Sequence, residues 1–88
     1  MRVVIVWKDY TDYSRGVIDW MREFRRRTGK ELENLDPESL SGEIFVRAYD
    51  IVQYPSIIAI ASDGREQKRW VGLPLPLINE VSFYTLDG

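Results

Sequence analysis

The chain has 88 residues, enough for one small domain spanning 1–88, and such a domain buries about 60% of its unfolded surface. Twelve Lys and Arg against fourteen Asp and Glu give a net charge of −2, the wrong balance for general polyanion binding, and no nucleic-acid partner is expected. There is no histidine and no cysteine, which excludes disulfides, thiolate chemistry, Fe–S clusters, ordinary zinc sites and Ser-His-Asp or Cys-His catalysis.

Val3 to Trp7 is a continuous β-branched and aromatic run, the composition of a central strand covered on both faces. It is too short for a signal-peptide core or a membrane span, so a cytoplasmic protein without a membrane partner is the expectation. Lys8 to Tyr13 reads as a loop. Val17, Met21, Phe24 and Thr28 then recur at helical spacing, Gly29 is a natural stop, and Arg25, Arg26 and Arg27 complement the helix dipole.

Glu31 to Leu35 reads as a short strand with Leu32 facing inward. Asp36-Pro37 has the form of an N-cap followed by proline at the first helical position. Leu40, Ile44 and Ala48, spaced by four, predict a second helix ending near Tyr49, with Ser41-Gly42 in its middle as a point where it could break into two pieces. Ile57 to Ala61 is a second apolar strand, and Asp63-Gly64 is a hairpin turn signal. Glu66 to Val71 returns as a partner strand, charged enough for a sheet edge. After the proline-punctuated stretch Gly72 to Pro76, Leu77, Val81 and Tyr84 predict a last helix. The fold class is therefore α/β, β-α-β-α-β-β-α, a four-stranded mixed sheet with helices on both faces.

That order at this length resembles the minimal thioredoxin fold, glutaredoxins in particular, and three stretches carry the likeness. Val52-Gln53-Tyr54-Pro55-Ser56 before the strand Ile57 to Ala61 looks like the family's loop with a cis-proline opening the third strand. Trp70-Val71-Gly72 is similar to the end of the fourth strand and the glycine after it. Between first strand and first helix, glutaredoxins carry a lysine, two residues and Cys-Pro-Tyr-Cys. Here the stretch reads Lys8-Asp9-Tyr10-Thr11-Asp12-Tyr13-Ser14: Lys8 and Tyr13 match, Thr11 and Ser14 replace the cysteines, and Asp12 replaces the proline.

The resemblance implies a glutathione contact at Lys8 and at the backbone beside Pro55. The family's Gly-Gly-x-Asp-like segment is reduced here to Gly72-Leu73-Pro74-Leu75, so at most half of that site is present. Hydroxyls at Thr11 and Ser14 cannot supply the thiolate that disulfide exchange requires. The local chemistry of a helix start accounts for them as well: Thr11 suits an N-cap, and Asp12 at the first helical position faces the dipole.

The expectation is a redox-inactive, non-catalytic domain with no cofactor and no metal. It binds an extended peptide or protein partner through Lys8, Tyr10, Thr11, Asp12, Tyr13, Ser14, Tyr54, Pro55 and Ser56. Free backbone groups at Tyr54 and Ser56 would take up the extended chain, and Tyr10, Tyr13 and Tyr54 would form an apolar rim. The alternatives are residual glutathione binding without redox chemistry, or a homo-oligomer formed through the charged edge strand or the apolar Leu73 to Ile78 segment. The arginine run from Arg22 to Lys30 reads as a solvated face, because Glu23 lies four residues before Arg27 and Arg15 four before Asp19.

Overall fold

A computed structural model describes residues 1–86. The elements run β1 (Arg2–Val6), α1 (Ser14–Thr28), β2 (Glu33–Leu35), α2 (Leu40–Ala48), β3 (Ser56–Ile60), β4 (Glu66–Val71) and α3 (Ile78–Phe83). The sheet order is β2-β1-β3-β4, with β1 parallel to β2 and antiparallel to β3, and β3 antiparallel to β4. This is the mixed sheet expected from the sequence, with β4 at an edge. A bulge opposite Ala59 and Ile60 irregularises that edge, an arrangement that discourages strand-to-strand association.

The two central strands explain the layers. Successive side chains alternate across a strand, so every second residue belongs to the same face. Val3, Ile5, Trp7, Ile57 and Ala59 pack with Val17 and Phe24 of α1 and Ile78 and Val81 of α3. Val4, Val6, Ile58 and Ile60 face the other way, against Phe45 of α2 and Ile51. A strand apolar at every position is what a sheet covered on both sides requires.

α1 forms as its spacing predicts. Val17 and Phe24 are its buried residues, and Ile18, Trp20 and Met21 pack partly against the same core. Gly29 ends it at φ 73, donating its N–H to the Arg25 carbonyl at 2.8 Å. The left-handed conformation is open to glycine without a Cβ penalty. The solvated face pairs Glu23 with Arg26 and Arg27, and Asp19 with Arg22 rather than with Arg15.

α2 departs from the reading of its sequence at its N-cap. Ser39, not Asp36, is the N-cap, its hydroxyl accepting the Gly42 N–H at 3.0 Å. Asp36 instead builds the preceding turn, its carboxylate taking the Glu38 N–H and its carbonyl the Ser39 N–H. Its buried residues are Gly42 and Phe45, whereas Leu40 is 79% and Ile44 62% exposed and Ala48 is exposed too. Gly42 decides the rotation, because a Cβ there would lie 1.8 Å from the Asp36 carbonyl oxygen. Only a bare backbone fits, so this side turns inward and the stripe spaced by four turns out.

α3 shows a smaller shift. Ile78 and Val81 are buried, while Leu77 is the N-cap residue and exposed. Trp20 anchors the connection before it, donating its indole N–H to the Pro76 carbonyl at 2.9 Å. Trp70 and Tyr84 meet edge to face at 5.4 Å.

Candidate functional site

The site expected from the sequence lies where β1 ends and β3 begins, ends brought together by the antiparallel register Val6↔Ser56. After β1, Trp7 stays buried and donates its N–H to the Leu35 carbonyl. The loop then folds on itself around Lys8. The Lys8 N–H donates to the Tyr13 phenol oxygen at 3.0 Å, and the Thr11 hydroxyl donates to the Lys8 carbonyl at 3.0 Å. The Ser14 N–H and hydroxyl both donate to the Thr11 carbonyl, at 3.2 and 2.9 Å. Lys8, Thr11, Tyr13 and Ser14 thus form one hydrogen-bonded unit.

This unit displaces the helix start. α1 begins at Ser14 with Tyr13 as its N-cap residue, without a side-chain cap and without an acid in its first turn. Thr11 is therefore not the N-cap, and Asp12 is not at the first helical position. Thr11 directs its hydroxyl back to Lys8, and its carbonyl holds Ser14 in a tight turn before the helix starts.

Tyr10 stands apart. It is 97% exposed and adopts φ 60, with its N–H donated to the Asp9 carboxylate at 2.8 Å. A bulky residue is uncommon in that conformation, which costs free energy that the Asp9 hydrogen bond offsets in part.

On the β3 side, the Tyr54–Pro55 and Leu73–Pro74 peptide bonds are both cis; sequence reading anticipates the first alone. Pro55 is buried, and its carbonyl accepts the Gly72 N–H at 2.8 Å. Gly72 has φ 73, and a Cβ there would meet the Gln53 side-chain nitrogen at 2.5 Å. Ser56 is 1% exposed, its hydroxyl donates to the Gln53 carbonyl at 2.6 Å, and its backbone sits in register with Val6 on one side and Val71 on the other. The expectation of free backbone groups therefore fails at Ser56, which is a ladder residue of a central strand. It holds at Tyr54, whose N–H and carbonyl have no hydrogen-bond partner among the described residues.

Lys8 joins the two loops, its ammonium lying 5.5 Å from the centre of the Tyr54 ring. The predicted tyrosine rim does not assemble. Tyr13 packs against the core shared by α1 and α3, Tyr54 against the α2 side, and Tyr10 points away into solvent. Aromatics that straddle the end of a sheet belong to different faces, and no one-dimensional spacing reveals which.

Sequence reasoning missed a cavity of about 300 Å³ beside this loop, lined by Trp7, Asp9, Asn34 and Asp36. The Trp7 indole N–H donates to the Asn34 side-chain oxygen there. Asn34, in the poorly alternating stretch before Asp36, offered no sequence signal. Among the described residues no group of three or more His, Cys, Asp or Glu is placed to hold a metal ion. The carboxyls held clearly below their usual range lie elsewhere. Hydrogen bonds from Arg26 and Arg27 lower Glu23 to about 2, those from Arg2 lower Glu33, and those of Arg65 lower Asp63.

The architecture is a thioredoxin-like fold. Thioredoxin 1 from the thermophilic eubacterium Thermosipho africanus TCF52B superposes with a TM-score of 0.65 at 14% identity, over 96% of this chain and 89% of that one. A structure described as a malarial protein superposes equally well, TM-score 0.65 at 15% identity, over 93% of this chain and 89% of that one. No protein-family model and no curated protein matches the sequence. At these identities the likeness establishes the fold. No described helix is long and apolar enough to cross a membrane.

Proposed function

We propose that this chain is a redox-inactive, non-catalytic thioredoxin-like domain that binds an extended protein segment beside Pro55. The observation that carries the reading is the backbone of Tyr54, whose donor and acceptor are both unused among the described residues and stand next to a residue without an N–H. An extended chain laid alongside would satisfy both groups as an added strand does. Lys8 would supply a fixed positive charge over the Tyr54 ring, and Tyr10 an exposed aromatic surface at the outer edge. A sequence with no cysteine has no thiolate for disulfide exchange, and one with no histidine lacks the commonest general base.

Panning a displayed library of random unstructured peptides, then titrating a selected peptide into labelled protein, tests this. Amide shifts centred on Lys8 to Ser14 and Gln53 to Ser56 are expected, with Lys8→Ala weakening binding about tenfold, or 1.4 kcal/mol. A selected peptide that shifts only residues elsewhere overturns the reading.

Residual glutathione binding is the second reading. It is favoured by one feature: among the described residues the Lys8 ammonium rests over an aromatic ring rather than on a carboxylate, leaving its donors available to an incoming one. Titration with reduced glutathione to several millimolar distinguishes the two, and shifts that persist in Lys8→Ala exclude this second reading.

A further inference from the structure

α2 is apolar on both sides. Gly42 and Phe45 face the sheet, while Leu40 and Ile44 are 79% and 62% exposed and the exposed Ala48 continues their line. Residues four apart stack on one face, so the three form a single stripe the length of the helix. A helix apolar all round is normally buried all round. The sheet covers one side of this helix and nothing in the chain's described residues covers the other.

We infer that the Leu40–Ile44–Ala48 face of α2 is the contact surface of a two-fold symmetric dimer of this chain, formed by antiparallel packing of α2 on α2. The charges beside the stripe argue for a second copy over other partners. Glu43 and Arg47 each precede a stripe residue by one position, so both lie on the same flank, with an ion pair of 2.8 Å between them. Antiparallel pairing about a two-fold axis level with residue 45 keeps that flank against itself. Glu43 of each copy then meets Arg47 of the other, at both ends, and no like charges oppose one another. The same axis interleaves the two stripes, with Leu40 two positions, about 3 Å, beyond the second copy's Ala48, large beside small, and the two Ile44 side chains one position to either side of the centre. The surface is thus complementary to itself in both shape and charge, as an isologous contact requires.

The helix has nine residues and is about 13 Å long, so the buried area falls in the range of small interfaces. Dissociation in the range of roughly 10 μM to 1 mM is expected, not a permanent dimer. This assembly uses neither the β4 edge nor the Leu73 to Ile78 segment, and its stripe contains none of the residues of the proposed peptide site.

Sedimentation velocity of the intact chain from about 5 μM to 1 mM reads the association directly. The weight-average mass is expected to climb towards twice the monomer, and Ile44→Glu, at an exposed position, is expected to weaken dimerisation at least about tenfold. A chain that stays monomeric at 1 mM overturns the inference and leaves the stripe to a different protein. A dimer that survives Ile44→Glu overturns it as well.

A charge-reversal pair then fixes the register. Glu43→Arg alone and Arg47→Glu alone each place like charges across the two-fold axis and are expected to be monomeric. Mixed one to one, they pair an arginine with a glutamate at each of the two meeting points and are expected to form a heterodimer. Both variants folded by circular dichroism but failing to associate on mixing overturn the antiparallel arrangement.

Discussion

α1 and α2 pack against opposite faces of one sheet, and their sequences advertise their inner faces with unequal clarity. α1 is amphipathic: Val17 and Phe24 face the core, and arginines and glutamates cover the rest. Its periodicity has one solution. α2 carries apolar residues on two faces, and periodicity alone picks the more regular one, Leu40–Ile44–Ala48, which is the exposed one. The choice is made by a close approach of backbone to backbone at Gly42. A glycine in a helix thus has two opposite meanings, an unfavourable propensity or an indispensable absence of a side chain, and only its neighbours distinguish them.

The same substitution in both helices tests that difference with the largest expected effect. Gly42→Ala would drive a Cβ to 1.8 Å from the Asp36 carbonyl oxygen, so α2 or the Asp36 turn must move. A loss of at least about 4 kcal/mol is expected, at the upper end for overpacking. Gly16, in the first turn of α1, is exposed, and a Cβ added there would have nothing within 4 Å. Gly16→Ala is expected to add about 0.5–1 kcal/mol through helix propensity. Urea melts of the two variants should bracket the parent; both moving the same way would refute the role given to Gly42.

A second pair asks which face of α2 carries stability. Phe45 is 6% exposed and packs against Tyr49 in a tilted pair at 4.8 Å between ring centres. Phe45→Ala is expected to cost about 3 kcal/mol, as large-to-small changes at buried aromatic positions do. Ile44→Ala, its chain neighbour, should stay within about 0.5 kcal/mol at micromolar concentration. Equal losses would mean that the exposed stripe is covered within the monomer.

These contrasts mark what the sequence made legible. The central strands could be read because Val3 to Trp7 and Ile57 to Ala61 are apolar without alternation, which a two-faced sheet demands. The Asp63-Gly64 turn could be read because Gly64 takes φ 89, a conformation that favours glycine. The candidate site was legible as a place and not as a geometry. Thr11 and Ser14 were identifiable, but the direction of the Thr11 hydroxyl, back to Lys8 instead of forward into the helix, depends on a loop closed by Tyr13. Ser56 stands just before the apolar run that starts at Ile57, and nothing in its local sequence signals its pairing with both Val6 and Val71, which is a long-range fact.

The helix starts sharpen the contrast at a smaller scale. Ser39 caps α2 through the Gly42 N–H, whereas no side chain caps α1. Ser39→Ala is expected to cost about 1 kcal/mol. Asp12→Asn is expected to leave the melting temperature unchanged, because Asp12 lies ahead of α1 rather than in its first turn. A measurable loss from Asp12→Asn would restore the helix-dipole role that its position in the sequence had promised.

The smallest effect belongs to the charged face that makes α1 so readable. Glu23 is held at about 2 by hydrogen bonds from Arg26 and Arg27, against 4.5 for a free glutamate. A carboxyl lowered on folding contributes stability that is fully present above about pH 4.5 and is lost as pH falls through about 2. All three side chains are solvated, so screening by water and salt keeps the contribution small. Thermal melts of the parent and Glu23→Gln should therefore differ slightly at pH 6 and converge towards pH 2, with the difference shrinking further in 0.5 M salt. A gap that widens as pH falls would reverse the sign and show that Glu23 is protonated more readily in the folded chain than in the unfolded one.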